Sequence, residues 1–183
     1  MSSPLVVITE QTHGVKIELA YATENNFTGK LIYKHATCVL HQDAEVCLKK
    51  AVEHAKRAGL TIVIYDAYRP GKAQQKLWDF LPDDHYVTPP EKGSAHTRGV
   101  AIDLGLIDQH GNVLDMGTGF DDMTNLSHTD NTELPPHIVQ NRAILLGIML
   151  HAGFKEIKYE WWHYQLPNAF DYPLLDSDLV EVV

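Results

Sequence analysis

Cysteine is nearly missing from this sequence: Cys38 and Cys47 are the two thiols among 183 residues. That count excludes a cysteine-rich structural zinc site and a scaffold stapled by several disulfides. Basic residues are scarce as well. Fifteen Lys and Arg stand against twenty-four Asp and Glu, for a formal charge of −9. Binding a phosphate backbone normally needs a basic face, so nucleic acid is not an expected partner. No apolar run approaches eighteen residues, which removes a membrane-spanning helix and a membrane partner of that kind. Repeats, low-complexity tracts and linkers are also missing. With 44% hydrophobic and 21% charged residues, the chain has the composition of one folded domain over residues 1–183.

The start, Met1 to Glu10, has no basic residue, and its apolar stretch is short for a signal peptide. This predicts a cytoplasmic protein, or a periplasmic one if a leader has been removed. Reduced thiols suit that setting, so Cys38 and Cys47 are expected free.

Apolar residues at three- and four-residue steps predict a helix over 43–59, from Asp43 as N-cap to Gly59 as stop. Leu60 to Tyr65 reads as a buried strand, and Pro70 opens a short helix running to about Phe80. Residues 81–93 carry three prolines and read as a long surface loop, a place where function often sits. Val100 to Ile107 is a strand, followed by a turn at 108–112 and a second short strand through Leu114. Residues 117–136 are irregular. Ile138 to Ala152 is a helix apolar nearly all round in its second half, hence buried, and Gly153 ends it. Two short strands close the chain between Phe154 and Leu166. The sum is an α+β domain with a mainly antiparallel sheet and helices on one side.

Most of the eleven histidines have no matched partner in sequence. His96 differs, because Ser94, Ala95, Gly99 and Ala101 leave room around it. Asp103 then emerges from an otherwise apolar strand, where an unpaired charge is costly to bury. A cation would compensate it, and so would a buried arginine; the residues alone leave both open. Glu160 and His163 follow sixty residues later. Two imidazoles, one carboxylate and a spare carboxylate are the inventory of a catalytic zinc site, with three protein ligands and one open position. On a strand, Glu160 and His163 point to opposite faces. If both serve one ion, a bulge or turn is required near Trp161–Trp162.

The pattern Ser94-Ala95-His96-Thr97-Arg98-Gly99-Val100-Ala101-Ile102-Asp103, together with Glu160-Trp161-Trp162-His163, resembles the zinc D-alanyl-D-alanine dipeptidases. These are the enzymes associated with vancomycin resistance and with recycling of cell-wall (peptidoglycan) dipeptide. The resemblance extends through Tyr21 to Gly29, Asp66-Ala67-Tyr68-Arg69-Pro70, Asp115 to Asp121, Ser127-His128 and Asn141-Arg142, and so covers nearly the whole chain. It implies a small α+β zinc-peptidase fold of the Hedgehog and D,D-peptidase type. It further implies one zinc ion on His96, Asp103 and His163, with Glu160 as catalytic base and Arg69 stabilising the transition state. Ser94, Tyr21 and Asp121 would lie along a small dipeptide substrate, with Trp161 a weaker candidate for the pocket wall and His128 for orienting a ligand.

Plainer roles stay open beside these. Arg69 could serve a structural salt bridge, and Asp121 could cap a turn in its glycine-rich stretch. The same residues would also suit a D,D-carboxypeptidase, a murein endopeptidase or a zinc-containing binding module without catalysis. The native metal and self-association into a homo-oligomer stay open as well.

Overall fold

The computed structural model describes residues 3–183, so the first two residues of the N-terminal reading lie outside it. In chain order the elements are β1 (Leu5–Ile8), α1 (Glu10–His13), β2 (Lys16–Ile17), β3 (Cys38–His41), α2 (Gln42–Arg57), β4 (Thr61–Asp66), α3 (Gly71–Phe80), β5 (Ala101–Ile107), α4 (Pro136–Ala152), β6 (Lys155–Glu156) and β7 (His163–Gln165). Five strands form the main sheet in the order β2-β4-β5-β7-β6. Its neighbours run antiparallel except β2 with β4. The expected α+β architecture is therefore present. A separate antiparallel pair, β1 with β3, was not expected, although Leu5-Val6-Val7-Ile8 and Cys38-Val39-Leu40 carry the β-branched signal.

Leu48, Ala51, Val52 and Ala55 of α2 pack with Leu145, Ile148 and Met149 of α4. Both helices rest on Ile62 and Ile64 of β4 and on Ile102, Leu104 and Leu106 of β5. Each such aliphatic side chain contributes about 1.5–3 kcal/mol by leaving water. The expectation of helices on one side holds for this pair, while α3 packs in a cluster of its own. Ala73 and Leu77 of α3 join a second cluster with Tyr21, Tyr33, Tyr68 and Val87.

Three local readings need correction. The N-cap of α2 is His41, whose Nδ1 accepts from the Asp43 amide at 3.2 Å; Asp43 itself lies inside the helix. Helix α4 is not buried all round, because only one face meets α2 and the sheet: Val139, Ile144 and Leu150 are each more than 40% exposed. The strand through Leu114 shrinks to a single bridge between Ile107 and Val113, with the Leu114 amide on the Leu106 carbonyl. Both cysteines are free, as expected. Among the described residues, no helix is long and apolar enough to cross a membrane.

Sheet register builds the floor of the site. Ile64 of β4 pairs with Leu104 of β5, and the next pair is Asp66 with Asp103, so Tyr65 is an extra residue in β4. Since strand side chains alternate, this bulge turns Asp66 from the core face to the face of Asp103. Asp103 in turn pairs with His163 of β7. Three polar side chains thus stand in a row across three adjacent strands.

Gly99 closes the short 3-10 turn His96–Arg98 at φ +71°. A Cβ there would sit 2.9 Å from Leu5 Cδ2 and 3.2 Å from the His41 backbone nitrogen. Gly147 of α4 instead has nothing within 4 Å of a built Cβ. We expect Gly99→Ala to lower the unfolding free energy by about 1–3 kcal/mol. Gly147→Ala is expected to raise it by about 0.5–1 kcal/mol through lost chain entropy. Denaturant unfolding of the two variants checks both signs.

Candidate active site

His96 comes from the 3-10 turn before β5, Asp103 from β5 and His163 from β7. All three are buried. His96 Nε2 lies 3.1 Å from His163 Nδ1 and 3.3 Å from Asp103 Oδ1, and His163 Nδ1 lies 3.1 Å from Asp103 Oδ1. A tetrahedral ion with bonds of about 2.0–2.1 Å holds its ligand atoms about 3.3 Å apart, so the three atoms already stand near one coordination triangle. The outer nitrogens support the same reading. His96 Nδ1 is 2.7 Å from the Ala67 carbonyl, and His163 Nε2 is 3.0 Å from Gln165 Oε1. Each can donate its proton there, which leaves Nε2 of His96 and Nδ1 of His163 with free lone pairs.

Glu160 reaches this group through the required turn. Trp161 and Trp162 form it, the His163 amide meets the Glu160 carbonyl at 3.4 Å, and Glu160 Oε2 comes within 3.7 Å of His163 Nδ1. Burial pushes the Glu160 carboxyl up to about 7; Asp103 adds to this, while His163 and Arg69 pull against it.

Arg69 follows the end of β4, where Pro70 precedes α3. Its Nε and one terminal nitrogen bind Asp66 Oδ2 at 2.9 and 2.8 Å. Its other terminal nitrogen donates to Gln74 Oε1 at 3.1 Å, and the guanidinium lies 5.2 Å from the centre of the Tyr21 ring. The Asp66-bound nitrogen is also 3.7 Å from Asp103 Oδ2. The structural salt bridge therefore exists, yet Arg69 still lines the cavity beside Asp103 and Glu160. Asp66 receives a further bond from the Tyr33 hydroxyl at 2.8 Å.

Asp121 adopts φ +63°, and no other non-glycine among the described residues has a positive φ. Its Oδ1 accepts from the Tyr21 hydroxyl at 3.2 Å, while Oδ2 is buried without a partner. Burial raises its pKa well above the usual range, and Asp103 adds to the effect. Ser94 Oγ accepts from the Thr97 amide at 3.1 Å and touches the Thr97 hydroxyl. The cavity that these residues line measures about 230 Å³.

Trp161 does not line this cavity; Trp162 does. The Trp161 indole donates to Thr118 at 2.9 Å and stacks near Arg142 instead. The outer nitrogens of His96 and His163 meet Ala67 and Gln165 rather than His128, whose ring lies 5.1 Å from that of Tyr159. Sequence reasoning missed Gln165 and Gln74. Gln165 was within reach, since it lies two residues after His163 on the same strand and so on the same face. Gln74 offered no such signal.

Two imidazoles and a carboxylate around one point, with a carboxyl and a guanidinium beside them, are the arrangement of a metal-dependent hydrolase. Comparison with known proteins carries this further. The D-ala-D-ala dipeptidase family profile matches residues 1–182. The D-alanyl-D-alanine dipeptidase of Escherichia coli (strain K12) is 52% identical over 161 residues, covering 88% of this chain and 83% of that one. Its namesake from Enterococcus faecium is 34% identical over 194 residues, covering 91% and 96%. A solved vancomycin resistance D,D-pentapeptidase in complex with Zn(II) aligns at TM-score 0.47 and 14% identity, over 87% of this chain and 82% of that one. The chain belongs to the D-Ala-D-Ala dipeptidase family, and it is a hydrolytic enzyme.

Gln165→Leu removes the acceptor that fixes the His163 ring. Divalent-ion affinity, read by competition with a chromogenic chelator, should fall by about 10–100-fold; unchanged affinity would leave Gln165 without a role in the site.

Proposed function

We propose that the protein hydrolyses the free dipeptide D-Ala-D-Ala to two D-alanines, with one zinc ion held by His96, Asp103 and His163. The observation that carries the site is the convergence of those three side chains at 3.1–3.3 Å with both outer imidazole nitrogens already engaged. The donor set fits zinc, which favours imidazole and carboxylate in four-coordinate sites. When bound, the ion supplies Lewis acidity, activating water and polarising the scissile carbonyl.

Glu160 stands beside the ligand triangle without completing it. In this reading it takes the proton from the attacking water and later delivers it to the departing amine. Arg69 meets the carbonyl oxygen as charge builds there. Its guanidinium is held on one side by Asp66 and on another by Gln74, so little reorganisation is needed at the moment of reaction. The salt bridge and the catalytic role are thus two aspects of one placement.

A dipeptide carries an ammonium and a carboxylate a short distance apart. Asp121 offers the ammonium a buried carboxylate oxygen with no partner of its own, and Tyr21 keeps that carboxylate in place from behind. Ser94 offers a hydroxyl proton to the substrate carboxylate when Thr97 acts as donor in their mutual contact. A small cavity suits two residues better than the open groove a murein endopeptidase requires. The D,D configuration of the substrate follows the family relationship.

Purified protein incubated with D-Ala-D-Ala and with L-Ala-L-Ala, with and without chelator, tests the proposal. Hydrolysis of the D,D isomer that stops with chelator and returns with zinc is expected; turnover indifferent to chelator would overturn it. Glu160→Ala should retain zinc while kcat falls by several orders of magnitude, read by metal analysis and amine release. Arg69→Ala should lower kcat by about 10²–10³-fold with a much smaller change in KM; an unchanged kcat would leave Arg69 with the Asp66 salt bridge alone.

A further inference from the structure

Arg142 of α4 is a buried cation with no carboxylate partner among the described residues. Burial lowers its pKa to about 10, and Tyr164 pulls the other way. Its partners are three backbone carbonyls. Nε donates to Met116 at 2.8 Å, and the two terminal nitrogens donate to His128 at 3.0 Å and to Leu126 at 2.8 Å. These carbonyls lie on both flanks of residues 117–125, the segment that carries Asp121. The neighbouring Asn141 adds a bond to the Asp115 carbonyl at 2.8 Å. The segment does little to hold itself. Within residues 117–123 the single backbone–backbone bond joins the Asp122 amide to the Gly119 carbonyl, at 3.4 Å. Yet Asp121 stands there at φ +63°, a conformation strained for a residue with a Cβ, which persists only where the surroundings enforce it.

We propose that Arg142 is a positioning residue for substrate binding: by fixing both ends of the 117–125 segment, it holds Asp121 where the substrate ammonium is to meet it. This rests on the functional reading above and deepens it. A guanidinium suits the task because it is a rigid planar fork with donors on three nitrogens. One side chain thereby sets Met116 against Leu126 and His128 and closes the base of the segment. A lysine ammonium is a point charge on a flexible stem, and it does not hold three carbonyls in fixed directions. Two other bonds tie the segment and its flank to the Glu160 turn. The Trp161 amide meets the Ser127 carbonyl at 3.0 Å, and its indole meets the Thr118 hydroxyl at 2.9 Å. Those bonds place the segment beside Glu160, whereas Arg142 fixes its span.

The test compares Arg142→Lys with wild type on D-Ala-D-Ala, and repeats the substitution in an Asp121→Ala background. Hydrogen exchange of residues 117–127 and zinc affinity are read alongside. The expected result is a rise in KM of about tenfold with a much smaller change in kcat. Exchange of 117–127 becomes faster, while exchange of α2 and zinc affinity stay as in wild type. In the Asp121→Ala background the same substitution leaves KM where it was, because the group through which Arg142 acts is gone. An equal rise of KM in both backgrounds would overturn the proposal, as would a fall in kcat with KM unchanged or unchanged exchange of 117–127. Arg142→Gln, which is neutral and buries no unpaired ammonium, supplies the same readouts if Arg142→Lys does not fold. Failure of the dipeptidase reading looks different: wild type would then leave D-Ala-D-Ala uncut, while the exchange measurement still decides whether Arg142 holds the segment.

Discussion

The structure depends on how four buried carboxyl groups are compensated. Asp66, Asp103, Asp121 and Glu160 are each at most 9% exposed, and they lie around one small cavity or directly behind it. Burying ions without partners is among the largest costs a fold can carry. Arg69 is the single guanidinium among them, and Asp66 takes most of its hydrogen bonds. Two neutral imidazoles supply ligands but no charge. A divalent ion on the His96–Asp103–His163 triangle would offset most of the remaining deficit, and in the proposed function a substrate ammonium would meet Asp121. The buried carboxyl groups thus tie the proposed cofactor to the fold.

The scaffold brings those groups together by ordinary means. An antiparallel register aligns Asp66, Asp103 and His163, and a one-residue bulge at Tyr65 decides which face Asp66 occupies. The 3-10 turn that carries His96 ends in a glycine that lets the chain fold back against β1 and β3. A turn through two tryptophans returns Glu160 to the ligand it precedes by three residues. Arg142 steadies the opposite wall by donating to the carbonyls of Met116, Leu126 and His128, which bracket the loop of Asp121. The groups of the candidate site therefore rest on the sheet and on tightly bonded turns, and bond-rich supports of this kind limit how far a side chain can wander.

Much of the site was legible in the sequence because its residues break local rules. Asp103 interrupts an apolar strand, and His96 sits among small residues; both anomalies demand a partner. The turn at Trp161–Trp162 followed from the mismatch between a three-residue offset and strand alternation. Other features had no such mark. The Tyr65 bulge changes the face of Asp66 without altering composition, and Gln74 looks like any polar helical residue. Helix α4 was misread because an apolar sequence does not say which of its faces meets a neighbour. His41 as a cap was hidden by the conventional capping residue two positions later. The difference between Trp161 and Trp162 depends on the direction of a turn, which spacing does not encode.

The central claim is that one divalent ion is shared by His96, Asp103 and His163. X-ray absorption at the zinc edge of the purified protein tests it directly. The account predicts one zinc per chain, with two imidazole nitrogens at about 2.0–2.1 Å and the remaining neighbours oxygen. A shell containing thiolate sulfur at about 2.3 Å, or only one imidazole, would contradict it.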